Sequence, residues 1–266
     1  MKKIIQIIGL SLVLISSNLF AKTISDKSLT QVMELSGLNE QIAQYPNMAL
    51  MGMEQERLTN NSIPNDKFLK MKTLMLDAYN TDEMLAIIKK EIQKTTSQKD
   101  ADVLISWYKS PLGKKITDAE KKASTPNAYS NMLKEAPTLL QDKKRVYFAR
   151  LIDRSINATK MTIQIQKKTS IAVFIAISRI IHPEEKVDVE KYKIIIAAQD
   201  EQIEVAIEQM MILSFVYSYK NISIDNLEKY IVFLQKDDVS KFNNSVVNGI
   251  VKALDNASKK MTRKLN

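Results

Sequence analysis

Apolar positions along this chain recur three and four residues apart almost everywhere, the spacing that gathers them on one side of an α-helix. Leu29, Val32 and Met33 form such a set ahead of Gly37, a residue suited to the left-handed end of a helix. Leu38, Ile42 and Tyr45 open a second helix, which Pro46 kinks or restarts because proline has no amide hydrogen to donate. Residues 60–65, Asn-Asn-Ser-Ile-Pro-Asn, read as a turn. Phe68, Met71, Leu74, Met75 and Ala78 mark a helix that ends near Asn80, and Thr81 is placed to cap another carrying Met84, Leu85, Ile88 and Ile92. Ser97 with Asp100 three residues on is a reciprocal capping arrangement, and it opens a helix with Val103, Leu104 and Trp107 on its apolar side.

The most distinctive string follows: Trp107-Tyr108-Lys109-Ser110-Pro111-Leu112-Gly113-Lys114-Lys115-Ile116. Pro111 cannot continue the preceding helix and keeps Ser110 out of helical geometry, while serine then proline suits the cap and first position of a new helix. Trp107, Tyr108, Ser110, Pro111, Gly113 and Lys114 therefore predict a tight helix-to-helix corner, with Gly113 letting the two helices approach closely. The new helix runs through Ile116, Ala119 and Ala123 to Ser124-Thr125-Pro126, which begins another.

From about Thr138 longer helices are expected, with Leu140, Phe148 and Leu151 facing inward and the apolar segment 171–181 ending at His182-Pro183. Residues 161–166 alternate as a strand would, but six residues inside a helical chain are read as helix. Asp188 caps one long helix bearing Ile195, Ile203, Ile207, Met210, Met211 and Phe215. Ser223 caps a helix containing Leu227, Tyr230, Ile231 and Leu234, and a final helix runs from about Val239 to a basic end that complements the helix dipole. An offset of 126 residues aligns 97–121 with 223–247 and pairs Ser97 with Ser223 and Trp107 with Phe233.

The pattern predicts an all-α, multi-helix bundle of two related halves built around helical hairpins, residues 22–137 and 138–266, packed as one body. Five glycines and six prolines in 266 residues agree with it. Residues 1–21 read differently: Met1-Lys2-Lys3, a mostly apolar run over 4–15, then Ser16-Ser17-Asn18 and Leu19-Phe20-Ala21 make a cleavable signal peptide. An apolar run of 12 residues falls short of the roughly 20 that span a bilayer. A periplasmic, soluble protein is expected. No cysteine is present, which excludes a lipoprotein signal, disulfides, thiol catalysis and thiolate metal sites. Removing residues 1–21 leaves 37 basic against 30 acidic side chains, a mild excess that favours anionic surfaces.

Candidate chemistry is sparse. The lone His182 cannot assemble a transition-metal site without cysteine, so no metal or cofactor is expected. Ser106 and Lys109 form a Ser-x-x-Lys without the companion Lys-Thr-Gly, and the capping role of Ser110 accounts for its Ser-Pro pair, so no catalytic residue is assigned. Asp100 with Asp102, or Asp237 with Asp238, supply the carboxylates of an alternative reading as a hydrolase of envelope polymers. Thirteen methionines, three of them at Met48, Met51 and Met53, suit core filling or, in a further alternative, an apolar-ligand carrier. Lys143, Tyr147, Arg150 and Arg154 fall on one helix face as a basic and aromatic surface stripe. The leading expectation is a non-enzymatic binding protein whose partner is an envelope protein or an anionic membrane surface, and not nucleic acid.

Three stretches resemble the exported bacterial family known as domain of unknown function 2059. They are Met33-Glu34-Leu35-Ser36-Gly37-Leu38-Asn39, the string from Trp107 through Ile116, and Tyr217-Ser218-Tyr219-Lys220 with residues 227–234, Leu-Glu-Lys-Tyr-Ile-Val-Phe-Leu. Longer relatives carry a second Ser-Pro-x-Gly corner after the C-terminal aromatic helix, where this chain has Lys236-Asp237-Asp238-Val239. The resemblance implies a helical periplasmic protein and brings no activity with it.

Cleavage after Ala21 predicts that protein recovered from the periplasm begins at Lys22. Intact-mass measurement checks this, and a mass retaining residues 1–21 would remove the soluble, exported assignment.

Overall fold

The computed structural model describes residues 22–59, 64–181, 184–185 and 187–264. The signal segment, most of the turn at 60–65 and the His182-Pro183 pair lie outside the described residues. Helix follows helix; among the described residues the one β feature is an isolated bridge between Thr23 and Ser97.

Local capping chemistry sets the first boundaries. Ser25 accepts from the Ser28 amide to start α1 (Asp26–Leu35), and Gly37, at φ +75, turns the chain into α2 (Leu38–Ala43). Pro46 occupies the second position of α3 (Tyr45–Thr59), where its missing amide costs nothing. Asn80, not Thr81, caps the helix after α4 (Asn65–Ala78): its Oδ1 accepts from the Glu83 amide at 3.0 Å and leaves Thr81 as the first residue of α5 (Thr81–Thr95). Ser97 and Asp100 exchange both capping bonds at the head of α6 (Gln98–Lys109). After α7 (Pro111–Ala123), Thr125 caps α8 (Pro126–Leu139), and Asp142 caps α9 (Lys143–Ile156).

The second part departs from expectation twice. Leu140 ends α8 and is 40% exposed, because the chain turns outward there before Asp142. Residues 161–166 are helical within α10 (Ala158–Ile181). The single long helix expected after Asp188 is two, α11 (Val189–Ala197) and α12 (Asp200–Ser218). The break falls at Ala198-Gln199, where Asp200 and Glu201 place two carboxylates in the first turn of a new helix and favour its positive end. α13 (Ile224–Leu234) and α14 (Asp237–Lys264) complete the chain.

α14 is the beam of the bundle, lying along α5 and touching α4, α6, α9 and α10. One apolar cluster runs from Ile24 to Met261 and takes residues from both sides of position 138. Met33, Met53, Met71, Met75 and Met84 are fully buried within it, soft side chains filling an irregular interior. The two aromatics that the 126-residue offset aligns meet face to face, Trp107 on Phe233 with ring centroids 4.1 Å apart. Among the described residues no helix is long and apolar enough to cross a membrane.

The contact between α14 and α5 is closest at Gly249, where a Cβ would come within 2.8 Å of the Ile88 Cα. Alanine stabilises an open helix by about 1 kcal/mol relative to glycine. Here Gly249→Ala should instead destabilise by about 1–3 kcal/mol through forced separation of the helices. Urea unfolding checks the sign.

Candidate functional site

Ser110 belongs to two helices at once. It ends α6 and caps α7 in an extended conformation (φ −66, ψ 155), its amide donating to the Trp107 carbonyl at 2.9 Å and its Oγ accepting from the Gly113 amide at 3.0 Å. Pro111 takes the first position of α7. A Cβ on Gly113 would lie 2.0 Å from the Trp107 carbonyl oxygen, so only glycine allows α7 to start this close to the last turn of α6. Trp107 and Tyr108 turn inward: the indole stacks on Phe233 and on Tyr230, and Tyr108 meets Phe233 edge-on. Lys114 stays exposed on the outer side.

The inner face of α7 carries Gly113, Ile116 and Thr117, all buried, and then a carboxylate on the same stripe, Glu120. Its Oε1 accepts from the Tyr219 hydroxyl at 2.6 Å and the Tyr230 hydroxyl at 2.9 Å. Burial raises the Glu120 carboxyl above its ordinary value of 4.5, and the two hydroxyl donors pull it only partly back. Burial and the neighbouring carboxyl push both tyrosines well above their usual range. The turn that holds Tyr219 is fastened from α9, where Arg145 Nη1 donates to the carbonyls of Tyr219 and Ile222 at 2.7 and 2.9 Å. None of these polar roles was singled out from the sequence. The one available signal was Glu120 itself, an acid four residues after Ile116 on an otherwise apolar stripe.

The outer face of α7 and the C-terminal end of α12 enclose a groove of about 440 Å³. Pro111, Lys114, Lys115, Asp118 and Lys122 line it from α7, and Tyr217, Ser218, Lys220 and Ile222 line it from α12 and the turn beyond. Lys220 is engaged, with its Nζ 2.6 Å from Glu135 and 4.2 Å above the Tyr217 ring. Among the described residues Lys114, Lys115 and Lys122 make no ion pair. The corner motif thus supplies one wall of a basic cleft.

The stripe on α9 lies elsewhere. Lys143, Tyr147 and Arg154 are exposed, and Arg150 reaches Glu208 of α12 at 3.1 Å, which neutralises the middle of the stripe. The carboxylates pair differently from the sequence reading. Asp102 accepts from the Gln98 side chain, whereas Asp100 of α6 and Asp238 of α14 hydrogen-bond to each other. Burial raises Asp100, but the Ser97 donors outweigh it and hold it low; burial and the Asp100 bond raise Asp238. Glycoside hydrolysis needs carboxyls about 5 Å or more apart with the sugar between them, a space that two hydrogen-bonded acids do not leave. Among the described residues no three His, Asp or Glu side chains converge as metal ligands.

These features describe an all-helical protein with a basic groove built at a helix corner. Residues 82–142, from the first turn of α5 to the cap of α9, match the family model of an uncharacterized protein conserved in bacteria, DUF2059. That match supports the family resemblance over this span, within which the corner string falls. No curated protein and no solved structure matches the chain.

The folded chain holds the Glu120 proton more tightly than the unfolded chain does. Its contribution to stability is therefore fully present below about pH 4.5 and is lost as pH rises through the raised value. Glu120→Gln, which mimics the protonated form, should be stable relative to wild type by a margin that grows as pH rises above about 4.5. Trp107 is the only tryptophan and stacks on Tyr230. Its emission should titrate with the same midpoint in wild type and stay flat in Glu120→Gln.

Proposed function

We propose that this chain is an exported, non-enzymatic binding protein of the bacterial envelope that engages a macromolecular partner through the groove between α7 and α12. Export rests on the order of basic, apolar and small residues over 1–21. The docking role rests on one observation: the groove gathers three lysines without ion-pair partners among the described residues at the corner motif, inside the span that matches the family model. A concave cleft lined by both apolar and charged side chains is the ordinary form of a recognition site.

Hydrolase and carrier readings have weaker support. Asp100 and Asp238 are spent on each other, and Asp100 also on the α6 cap. Met33, Met53, Met71, Met75, Met84 and Met261 belong to the core cluster, and among the described residues no methionine lines the groove.

A photo-crosslinking residue at Asn221, exposed on the groove lip, should trap a discrete adduct in cells, and the same residue at Val232 on the exposed side of α13 should trap none. Equal labelling from both positions, or labelling from Val232 alone, would move the binding surface off the groove.

A further inference from the structure

The groove is basic in an unusual way, because every cation in it is a lysine. Lys114, Lys115 and Lys122 stand on α7 facing one acid, Asp118, and Lys220 closes the far side already neutralised by Glu135. Arginine forks, which read planar carboxylate or phosphate groups two bonds at a time, are absent from its lining. Lysine ammonium groups act as point charges and select for the sign and spacing of an occupant's charge. Lys115 and Lys122 are seven residues apart on one helix face, which separates them by about 10 Å along the axis. An α-helix laid alongside α7 repeats its own side chains at that same interval.

Between the amines Pro111, Ala119, Ala123 and Tyr217 give the lining apolar surface beside Ser218 and Asn221, with the buried Ile222 at its floor. A small free anion would satisfy the lysines and leave this surface wet. A flat bilayer would reach the rim lysines and bridge over the concavity. An amphipathic helix with acids at seven-residue spacing and apolar residues between them covers both kinds of surface at once.

We propose that the occupant of the α7–α12 groove is an acidic amphipathic helix of a partner protein, its carboxylates seven residues apart on Lys115 and Lys122 and its apolar side on Pro111, Ala119 and Tyr217. The proposal rests on the reading of the groove as a docking site. It is directional in charge: a cationic occupant is repelled by three amines with no compensating acid beyond Asp118.

The probe is a fluorescein-labelled helical peptide with glutamates seven residues apart and leucines between, followed by anisotropy with the whole exported chain. Binding should weaken about tenfold in Lys115→Gln/Lys122→Gln, two exposed charge contacts of ordinary size together. It should also weaken as salt rises, since such charges are screened beyond about 8 Å at physiological ionic strength. Both lysines are exposed, so the double variant should keep the wild-type unfolding midpoint. A matched peptide with lysine in place of glutamate should not bind. The proposal is overturned if the lysine peptide binds equally, or if the double variant binds the glutamate peptide unchanged. It is also overturned if phosphatidylglycerol vesicles bind through Lys115 and Lys122 while the glutamate peptide does not. An Asn221 adduct obtained together with an inert glutamate peptide would leave the groove as a docking site and remove the acidic helix alone.

Discussion

Trp107 lies flat on Phe233 only because the chain reverses within two residues at Ser110-Pro111 and Gly113 lets α7 begin against the Trp107 carbonyl. That close approach positions everything around it. It turns the inner face of α7 toward Tyr219 and Tyr230, and it points Lys114, Lys115 and Lys122 outward over the end of α12. A side chain at position 113 would separate the helices, and both the aromatic stack and the groove wall would move with them.

The carboxyl of Glu120 is the polar centre of this arrangement. Desolvating an acid is costly unless it is hydrogen-bonded, and two tyrosine hydroxyls from different elements both donate to the Glu120 Oε1. The bonds tie α7 to α13 and to the turn after α12, and Arg145 ties the same turn to α9. A network of this kind specifies one arrangement of the helices, since any slippage leaves a buried polar group unpaired. It also makes the junction beside the groove sensitive to protonation, because ionising Glu120 puts a charge in a largely desolvated position between two buried tyrosines.

Elsewhere several basic residues pair with acids between helices. Lys252 pairs with Glu91, Lys260 with Glu83 and Asp77, and Lys264 with Asp77, which ties α14 to α5 and α4. Lys168 reaches Asp255, and Lys121 reaches Glu40 on α2. Exposed pairs of this type stabilise weakly, about 0–1 kcal/mol each. Their larger effect is on the field, which they cancel locally. Lys114, Lys115 and Lys122 have no such partners among the described residues, so their charge is left uncancelled along the groove wall.

Helical class, most helix starts and the Ser110-Pro111 corner were legible in the chain because they depend on local chemistry: apolar period, a capping oxygen, a proline at a first turn. Where two local signals competed, the reading slipped by a residue at Asn80 and Thr81 or merged two helices across Ala198-Gln199. Tertiary structure alone decided which distant residues meet. Glu120 and Tyr230 are 110 positions apart and Asp100 and Asp238 are 138 apart, so no periodicity relates them. The stripe on α9 had the right spacing for a basic face, yet Glu208 from another helix neutralised its centre. Nothing in the sequence set Lys115 and Lys122 apart from other helix-face lysines, and it is the end of α12 that makes them one wall of a cleft. Charge along one helix can be counted from the sequence, but whether that charge is cancelled depends on the neighbour that packing brings to it.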